Sequence, residues 1–143
     1  MKRLAAVLVL LIGVLHLGSC ARLSTAKEAH AGKAKVIRKD FVQFSSDQTS
    51  YVNAYGESIP IEQWRRRDGE KRLYLAITQY DEPSEEARSA CARLEAQRAK
   101  QHGELYEIVD GKLFEDVHTG ETLNVRYIWD GQAAPRVISV SEP

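Results

Sequence analysis

The feature that most constrains this chain is an unbroken apolar run, Leu4 to Leu15, which comes directly after the basic pair Lys2 and Arg3. As a helix, a run of this length is too short to cross about 30 Å of hydrocarbon. A basic start, a short apolar run and then small residues are typical of a secretory signal peptide. The pattern therefore predicts that residues 1–19 are removed and that the folded protein is built from the residues after them.

The next four residues, Leu17 to Cys20, read leucine, glycine, serine and cysteine. They resemble the lipobox of bacterial lipoproteins, in which the cysteine receives a diacylglyceryl group before cleavage and N-acylation. The resemblance covers residues 1–20 only and implies a lipid anchor at Cys20. Ala21, in place of aspartate, implies the periplasmic face of the outer membrane. Several acyl chains on one residue give lasting attachment, since each buried methylene contributes about 0.8 kcal/mol.

Two alternatives to lipidation are compatible with the same segment. Extended to Ser19, the run of uncharged residues could be retained as an inner-membrane anchor. Cleavage after Ala21, with Ser19 and Ala21 as the small residues, would instead release a soluble periplasmic protein. The expected location is the outer membrane, with the inner membrane and the soluble periplasm as alternatives.

Beyond the leader, the chain predicts a flexible tether followed by one domain. Residues 20–33 hold small and polar side chains, with no large apolar one after Leu23. Residues 34–143 carry enough apolar side chains for a single modest core. From Cys20 onward there are 18 basic and 20 acidic residues, a net charge of −2. This charge offers nucleic acid no bulk attraction, so no nucleic-acid partner is expected.

The hydropathy pattern predicts an α+β domain, mostly an antiparallel β meander or a small, partly open barrel with one main α-helix. The helix is expected over 83–102, where acidic residues crowd the start, basic residues crowd the end and Gly103 follows. Asp110 and Gly111 predict a two-residue hairpin turn. Alternating apolar residues predict strands over 35–44, 51–55, 72–80, 104–109, 112–117, 122–129 and 136–140.

The segment 59–67 allows two interpretations, a short helix or a strand from Pro60. A tight hairpin turn at Asp68 and Gly69 would set like charges opposite each other on the two strands, which is destabilising. We therefore expect a loop over 66–71 after this helix or strand.

The mature sequence carries no recognisable catalytic pattern. Its histidines lack the spacing of metal ligands, and neither a glycine-rich phosphate loop nor a nucleophile-elbow motif occurs. If Cys20 is lipidated, Cys91 has no partner for a disulfide and is expected to be a small buried core residue. We expect a non-enzymatic protein with neither a metal nor a cofactor.

Two features predict binding surfaces. One short stretch of basic side chains could bind the phosphates and carboxylates of lipopolysaccharide or peptidoglycan. These residues are Arg65, Arg66, Arg67, Lys71 and Arg72. Tyr127 and Trp129, beside a predicted turn, could anchor a protein partner.

The leading hypothesis is a non-enzymatic, lipid-anchored envelope protein that binds a protein partner. Its size and anchor suggest an accessory or pilotin-like factor of an envelope assembly or secretion machine, an analogy that no motif of the mature domain supports. One alternative is binding of an anionic envelope ligand, peptidoglycan or lipopolysaccharide, through the basic stretch. Another is inhibition of a lysozyme in the periplasm.

Overall fold

The computed structural model describes residues 27–143, and the predicted signal peptide and lipidation site Cys20 lie outside the described residues. The strands of this range are β1 (Ala29–Val42), β2 (Ser50–Val52), β3 (Ser58–Pro60), β4 (Glu70–Tyr80), β5 (Leu105–Ile108), β6 (Thr122–Ile128) and β7 (Arg136–Ser141). Its helices are α1 (Gln63–Asp68), α2 (Glu85–His102) and α3 (Gly111–Asp116).

Five strands form one curled antiparallel sheet, a half-barrel, in the order β5-β4-β1-β6-β7. The strands β2 and β3 form a separate hairpin. The predicted α+β class, with antiparallel strands and one main helix, is confirmed. Strand β1 pairs with β4 on one side and β6 on the other, so the first strand of the domain holds the two halves of the sheet together.

The inner face of this sheet carries the hydrophobic core. Successive residues of a strand point to opposite faces, and alternate residues of β1 and β6 are almost fully buried. The core residues on the strands include Ala34, Val36, Leu73, Leu75, Leu105, Leu123, Val125, Tyr127 and Val137. Leu123, Val125 and Tyr127 of β6 therefore share the buried face.

Gly32 makes room for the largest side chains of this core. The rings of Tyr80 and Tyr127 meet edge to face with their centroids 5.5 Å apart. A Cβ at Gly32 would lie 2.7 Å from the backbone oxygen of Gln79 and 3.2 Å from the Tyr127 ring. Because neither neighbour can move freely, the position requires a residue without a side chain.

The predicted long helix is confirmed as α2. Ser84 is its N-cap and accepts a hydrogen bond from the backbone N–H of Ala87 at 3.1 Å. Acidic residues in the first turn and basic residues in the last turn complement the helix dipole. Gly103 ends the helix with a φ of 83°, a left-handed conformation that favours glycine. Cys91 is fully buried in the core, as expected.

The hairpin predicted at Asp110 and Gly111 is wrong, and so is the strand over 112–117, because helix α3 forms there. A two-residue hairpin turn of the Asp-Gly kind requires a positive φ at both residues, whereas Asp110 has a φ of −69°. Its carboxylate instead accepts a hydrogen bond from the Leu113 backbone N–H at 2.8 Å and caps the helix. Leu113 and Phe114 pack against the core, which favours the helix over the hairpin.

The folded domain begins earlier than the sequence predicts. Residues 20–33 are expected to be a tether, but β1 already starts at Ala29 and pairs with β6 from that residue on. Residues 29–33 carry no large apolar side chain and so give no apolar strand signal, since the large apolar side chains that fill this end of the core belong to other strands. The tether prediction is therefore wrong for residues 29–33.

The ambiguous segment 59–67 contains both predicted structures, the end of β3 and most of α1. The loop expected over 66–71 is wrong, because Gly69, at a φ of 77°, connects α1 directly to β4. A Cβ at Gly69 would overlap the ring of Phe41. This close approach of helix end and strand β1 leaves no room for a longer connection.

Replacing Gly32 with alanine tests the packing of the core. The new methyl group would press on the Gln79 carbonyl and the Tyr127 ring, so we expect the free energy of unfolding to fall by about 1–3 kcal/mol, the range for an overpacked core. Ala31→Val adds more atoms to the exposed face of β1 and should leave stability nearly unchanged. Urea unfolding measures both, and a Gly32→Ala midpoint equal to that of the wild type would contradict this packing.

Candidate binding cleft

The five predicted ligand-binding basic residues do not form one site. The first three, Arg65, Arg66 and Arg67, belong to α1, where Arg67 pairs with Asp68 at 2.9 Å. Lys71 and Arg72 are consecutive residues of β4, so their side chains leave opposite faces of the sheet. The sequence cluster is therefore divided, since Arg65 and Arg72 face Glu70, Arg67 pairs with Asp68, and Lys71 leaves the opposite face of β4 from Arg72.

Two members of this cluster neutralise a buried carboxylate. Arg72 Nη2 lies 2.9 Å from one oxygen of Glu70, a residue that is only 2% exposed. Arg65 Nη1 lies 3.6 Å from the other oxygen. The Arg72 guanidinium also stacks 4.2 Å from the centre of the Tyr106 ring. Removing one partner of a buried ion pair leaves an uncompensated charge and strongly destabilises the fold. These two arginines therefore have a structural role.

The structure also separates the two predicted partner-binding aromatic residues. Tyr127 is fully buried and its hydroxyl donates a hydrogen bond to Glu82 at 2.7 Å, so the prediction that it contacts a partner is wrong. Trp129 lies just beyond the end of β6 and is only partly buried. Its indole N–H donates to the carbonyl of Ala133 at 2.9 Å, which leaves the ring beside a surface cleft.

This cleft has a volume of about 460 Å³. Its walls are the C-terminal half of α2, the loop of the β2–β3 hairpin and the turn that joins β6 to β7. Leu94, Ile128 and Trp129 give it apolar surface, and the amide side chains of Gln97 and Gln101 line the α2 wall. A volume of about 300–1,000 Å³ is typical of ligand sites, although the lining of this cleft is more polar than theirs usually is.

The hairpin wall is fixed to β7 by a bidentate ion pair. The guanidinium of Arg136 donates to both carboxylate oxygens of Glu57, at 2.6 and 2.7 Å. Hydrogen bonds from Arg136 and Asn53 lower the pKa of Glu57 to about 2. The Tyr55 hydroxyl accepts a further hydrogen bond from the Val137 backbone N–H at 2.9 Å. The Glu57–Arg136 pair therefore stays charged at neutral pH.

The α2 wall is fixed to the same hairpin. Arg98 is 6% exposed and donates to the backbone carbonyl of Ala54, while Glu95 pairs with its guanidinium at 2.8 Å. The His102 ring packs so closely on Gly56 that a Cβ there would lie only 2.9 Å from Nδ1. The hairpin is thus bonded to α2 as well as to β7. Because these bonds hold the walls together, the cleft is preformed.

A smaller cavity of about 270 Å³ adjoins the cleft and shares Tyr55 and Arg136 with it. Glu107 lines this cavity from β5, where its pairing with Leu73 places it on the inner face of the sheet. Burial raises the pKa of Glu107 to about 7, although Arg136 opposes part of that rise. The cavity thus holds a carboxyl group that is partly protonated near neutral pH.

Cys91 shows no features of a reactive thiol. Burial raises the pKa of Cys91 to about 11, which keeps its thiol protonated and a poor nucleophile. Within residues 27–143, no three histidine, cysteine or acidic side chains cluster closely enough to hold a metal ion. None of the helices in this range has the length and hydropathy needed to span a membrane.

Comparison of the chain with models of known protein families, with curated proteins and with solved structures found no match. The function must therefore be argued from the cleft. Sequence reasoning identified Trp129 but missed the opposite walls, because Glu57 and Arg136 are 79 residues apart and no local pattern connects them. The spacing of Leu94, Gln97 and Gln101 does place them on one helix face, which is the only sequence signal for the α2 wall.

Glu107 supplies a pH-dependent test of the smaller cavity. Its pKa is higher in the folded chain, about 7, than the ordinary value of 4.5, so its contribution to stability is full below about pH 4.5 and is lost as the pH rises through 7. Glu107→Gln removes this ionisation. We expect it to match the wild type near pH 4 and to exceed its free energy of unfolding by about 1–2 kcal/mol near pH 8, allowing for partial exposure.

Urea unfolding over a series of pH values measures this difference. The control is Glu115→Gln, which removes an exposed carboxylate from α3 and should give a difference that hardly changes with pH. A gain in Glu107→Gln that stays constant from acid to alkaline pH would contradict the burial of this carboxyl group.

Proposed function

We propose that this chain is a non-enzymatic, lipid-anchored protein of a bacterial envelope, held in the membrane through Cys20. Its domain binds an extended segment of a protein partner in the cleft beside Trp129. It thereby serves as an accessory, pilotin-like factor of an envelope assembly or secretion machine. The observation that carries the proposal is the preformed cleft, with Trp129 on one wall and amide side chains on another.

The lining of the cleft suits a peptide backbone. Glutamine amides both donate and accept hydrogen bonds, so Gln97 and Gln101 can pair with the N–H and C=O groups of an extended chain. Trp129 and Leu94 offer apolar contact to its side chains, and tryptophan is enriched among residues that dominate binding energy. Because the walls are already fixed, little conformational entropy is lost on binding.

The binding of an anionic ligand through the basic stretch has less support. Arg65 and Arg72 are engaged with Glu70, and Arg67 with Asp68. Only Arg66 and Lys71 are outside these ion pairs, and they belong to different elements. Lysozyme inhibition stays a prediction that no contact of the described residues favours.

The lipid anchor is tested on the processed chain. We expect mass spectrometry of the chain from membranes to show an N-terminus at Cys20 that carries a diacylglyceryl group and a further acyl chain. Cys20→Ala should remove the chain from the processed membrane fraction, because the acyl chains provide the lasting attachment. Cys91→Ala is the matched control and should keep the modification. An unmodified N-terminus elsewhere, or a retained leader, would contradict the anchor.

The cleft is tested by site-specific photo-crosslinking in intact cells. A photoreactive residue at Gln101 faces the cleft, whereas one at Ala96, on the same helix, faces away from it and is exposed. We expect Gln101 to give one defined protein adduct and Ala96 to give none. Gln97→Arg should reduce the yield of the adduct at Gln101, because the larger, charged side chain would occupy the cleft beside it.

A second comparison separates the two candidate ligands. Replacing Arg66, Arg67 and Lys71 with alanine, the members of the basic stretch that do not pair with buried Glu70, should leave the adduct at Gln101 intact if the cleft binds the partner. Loss of co-sedimentation with peptidoglycan or lipopolysaccharide in that triple variant, together with equal adducts from Gln101 and Ala96, would overturn the proposal in favour of the anionic ligand.

A further inference from the structure

Among the exposed cations on the outer face of β1 and β6 are Lys33, Lys35 and Arg126, which we call the basic face. In the register between these two strands, their opposite residues are Asn124, Thr122 and Ala31, in that order. On the flanking strands their opposite residues are Gln79, Ala76 and Ser139. Every directly opposed position is therefore uncharged, so the cations have no cross-strand partner.

None of the ion pairs formed within residues 27–143 includes a member of the basic face. The contrast with Arg38, further along β1, is direct. Arg38 pairs with Glu104 at 2.8 Å and with Asp40 at 3.3 Å. Unneutralised positive charge is thus concentrated on the N-terminal half of β1 and on the strand beside it.

We propose that the basic face docks on the anionic phospholipid headgroups of the membrane that holds the chain. This step rests on the lipid anchor of the proposed function. Since β1 starts at Ala29, the chain from Cys20 to the sheet can span at most about 30 Å. The anchor therefore keeps the two lysines of the basic face within reach of the bilayer surface.

Charge complementarity selects the orientation. Each lysine or arginine near an anionic surface contributes about a fivefold factor to binding, so three acting together favour the docked orientation by about 100-fold. The three cations lie on neighbouring strands of one sheet face and can reach the surface together. The net charge of the mature chain, −2, gives no such attraction to a randomly oriented domain.

Docking in this orientation leaves the cleft free. The helix α2 packs through Cys91 on the inner face of the sheet, and the cleft lies between α2 and the hairpin on that side. The basic face is the opposite side of the same sheet. The membrane therefore covers one face, while the partner site opens toward the periplasm.

The test uses the processed chain in vesicles of phosphatidylcholine alone or with phosphatidylglycerol. A water-soluble amine reagent labels the lysines, and mass spectrometry gives each labelling rate. We expect labelling of Lys33 and Lys35 to slow by about tenfold or more on the anionic vesicles only, while exposed Lys100 on α2 keeps its rate. High salt should remove the protection, because it screens the attraction.

Arg126→Glu removes one contact of the basic face but leaves both lysine reporters in place, and it should restore most of their labelling. The matched control is Arg93→Glu, the same charge change at an exposed position of α2, which should leave the protection intact. Equal labelling of Lys33 and Lys35 on both kinds of vesicle would overturn the docking face. Restoration by Arg93→Glu would also overturn it, because net charge alone would then explain the protection.

Failure of the anchor gives a different result. A chain that sediments with both kinds of vesicle but shows unprotected lysines keeps its anchor and lacks the docking face. A chain that sediments only with anionic vesicles, and loses this in Arg126→Glu, has the docking face without the anchor. Sedimentation with neither kind of vesicle overturns both.

Discussion

Buried Glu82 connects strands β1 and β6 with helix α2, and the rest of the structure depends on this connection. Its Oε1 accepts a hydrogen bond from the Tyr127 hydroxyl at 2.7 Å, at the end of β6, and lies 3.2 Å from His30 Nδ1, at the start of β1. Its backbone carbonyl accepts a hydrogen bond from Arg88 of α2 at 2.8 Å. Because Glu82 is only 7% exposed, loss of these partners would leave a buried carboxylate uncompensated, at a cost of several kcal/mol. The helix is thus bound to the centre of the sheet, and the cleft wall that it forms is bound with it.

The parts of the fold that could be predicted are those whose cause lies within a short stretch of sequence. Helix α2 has its cap, its charge distribution and its terminating glycine in one continuous segment, so the prediction needed no distant residue. Asp110 shows the opposite case, since aspartate is favoured both in hairpin turns and at helix N-caps. The packing of Leu113 against the core selects the helix. The position at which β1 starts could not be predicted from nearby residues. Gly32 is required there only because the Tyr127 ring packs against it.

The same distinction explains the outcome at the candidate site. A period of two along the predicted strand 122–129 puts Tyr127 and Trp129 on the same face and cannot separate them. In the structure Tyr127 lies within β6 and is buried, whereas β6 ends at Ile128 and Trp129 is only partly buried. The basic stretch looked like one surface because its members are close in sequence. The sequence does not show that Glu70 is buried between Arg65 and Arg72. These two arginines therefore neutralise an internal carboxylate and are not available to an external anionic ligand. A cluster of basic residues predicts an anion-binding surface only when the fold places no carboxylates against it.

If the domain is anchored through Cys20, as proposed, the central position of β1 also has a mechanical consequence. Any pull through the segment before Ala29 enters the sheet along β1, whose backbone is hydrogen-bonded to β4 on one edge and to β6 on the other. A strand held on both edges must break bonds to two neighbours before it can slide, whereas an edge strand such as β7 is held by one. Lys27, which pairs with Asp130 at 3.6 Å, places the entry of the chain on the rim of the cleft. Under the proposed function, a partner bound in the cleft would pull on a domain whose anchored chain enters the sheet through a strand paired on both edges.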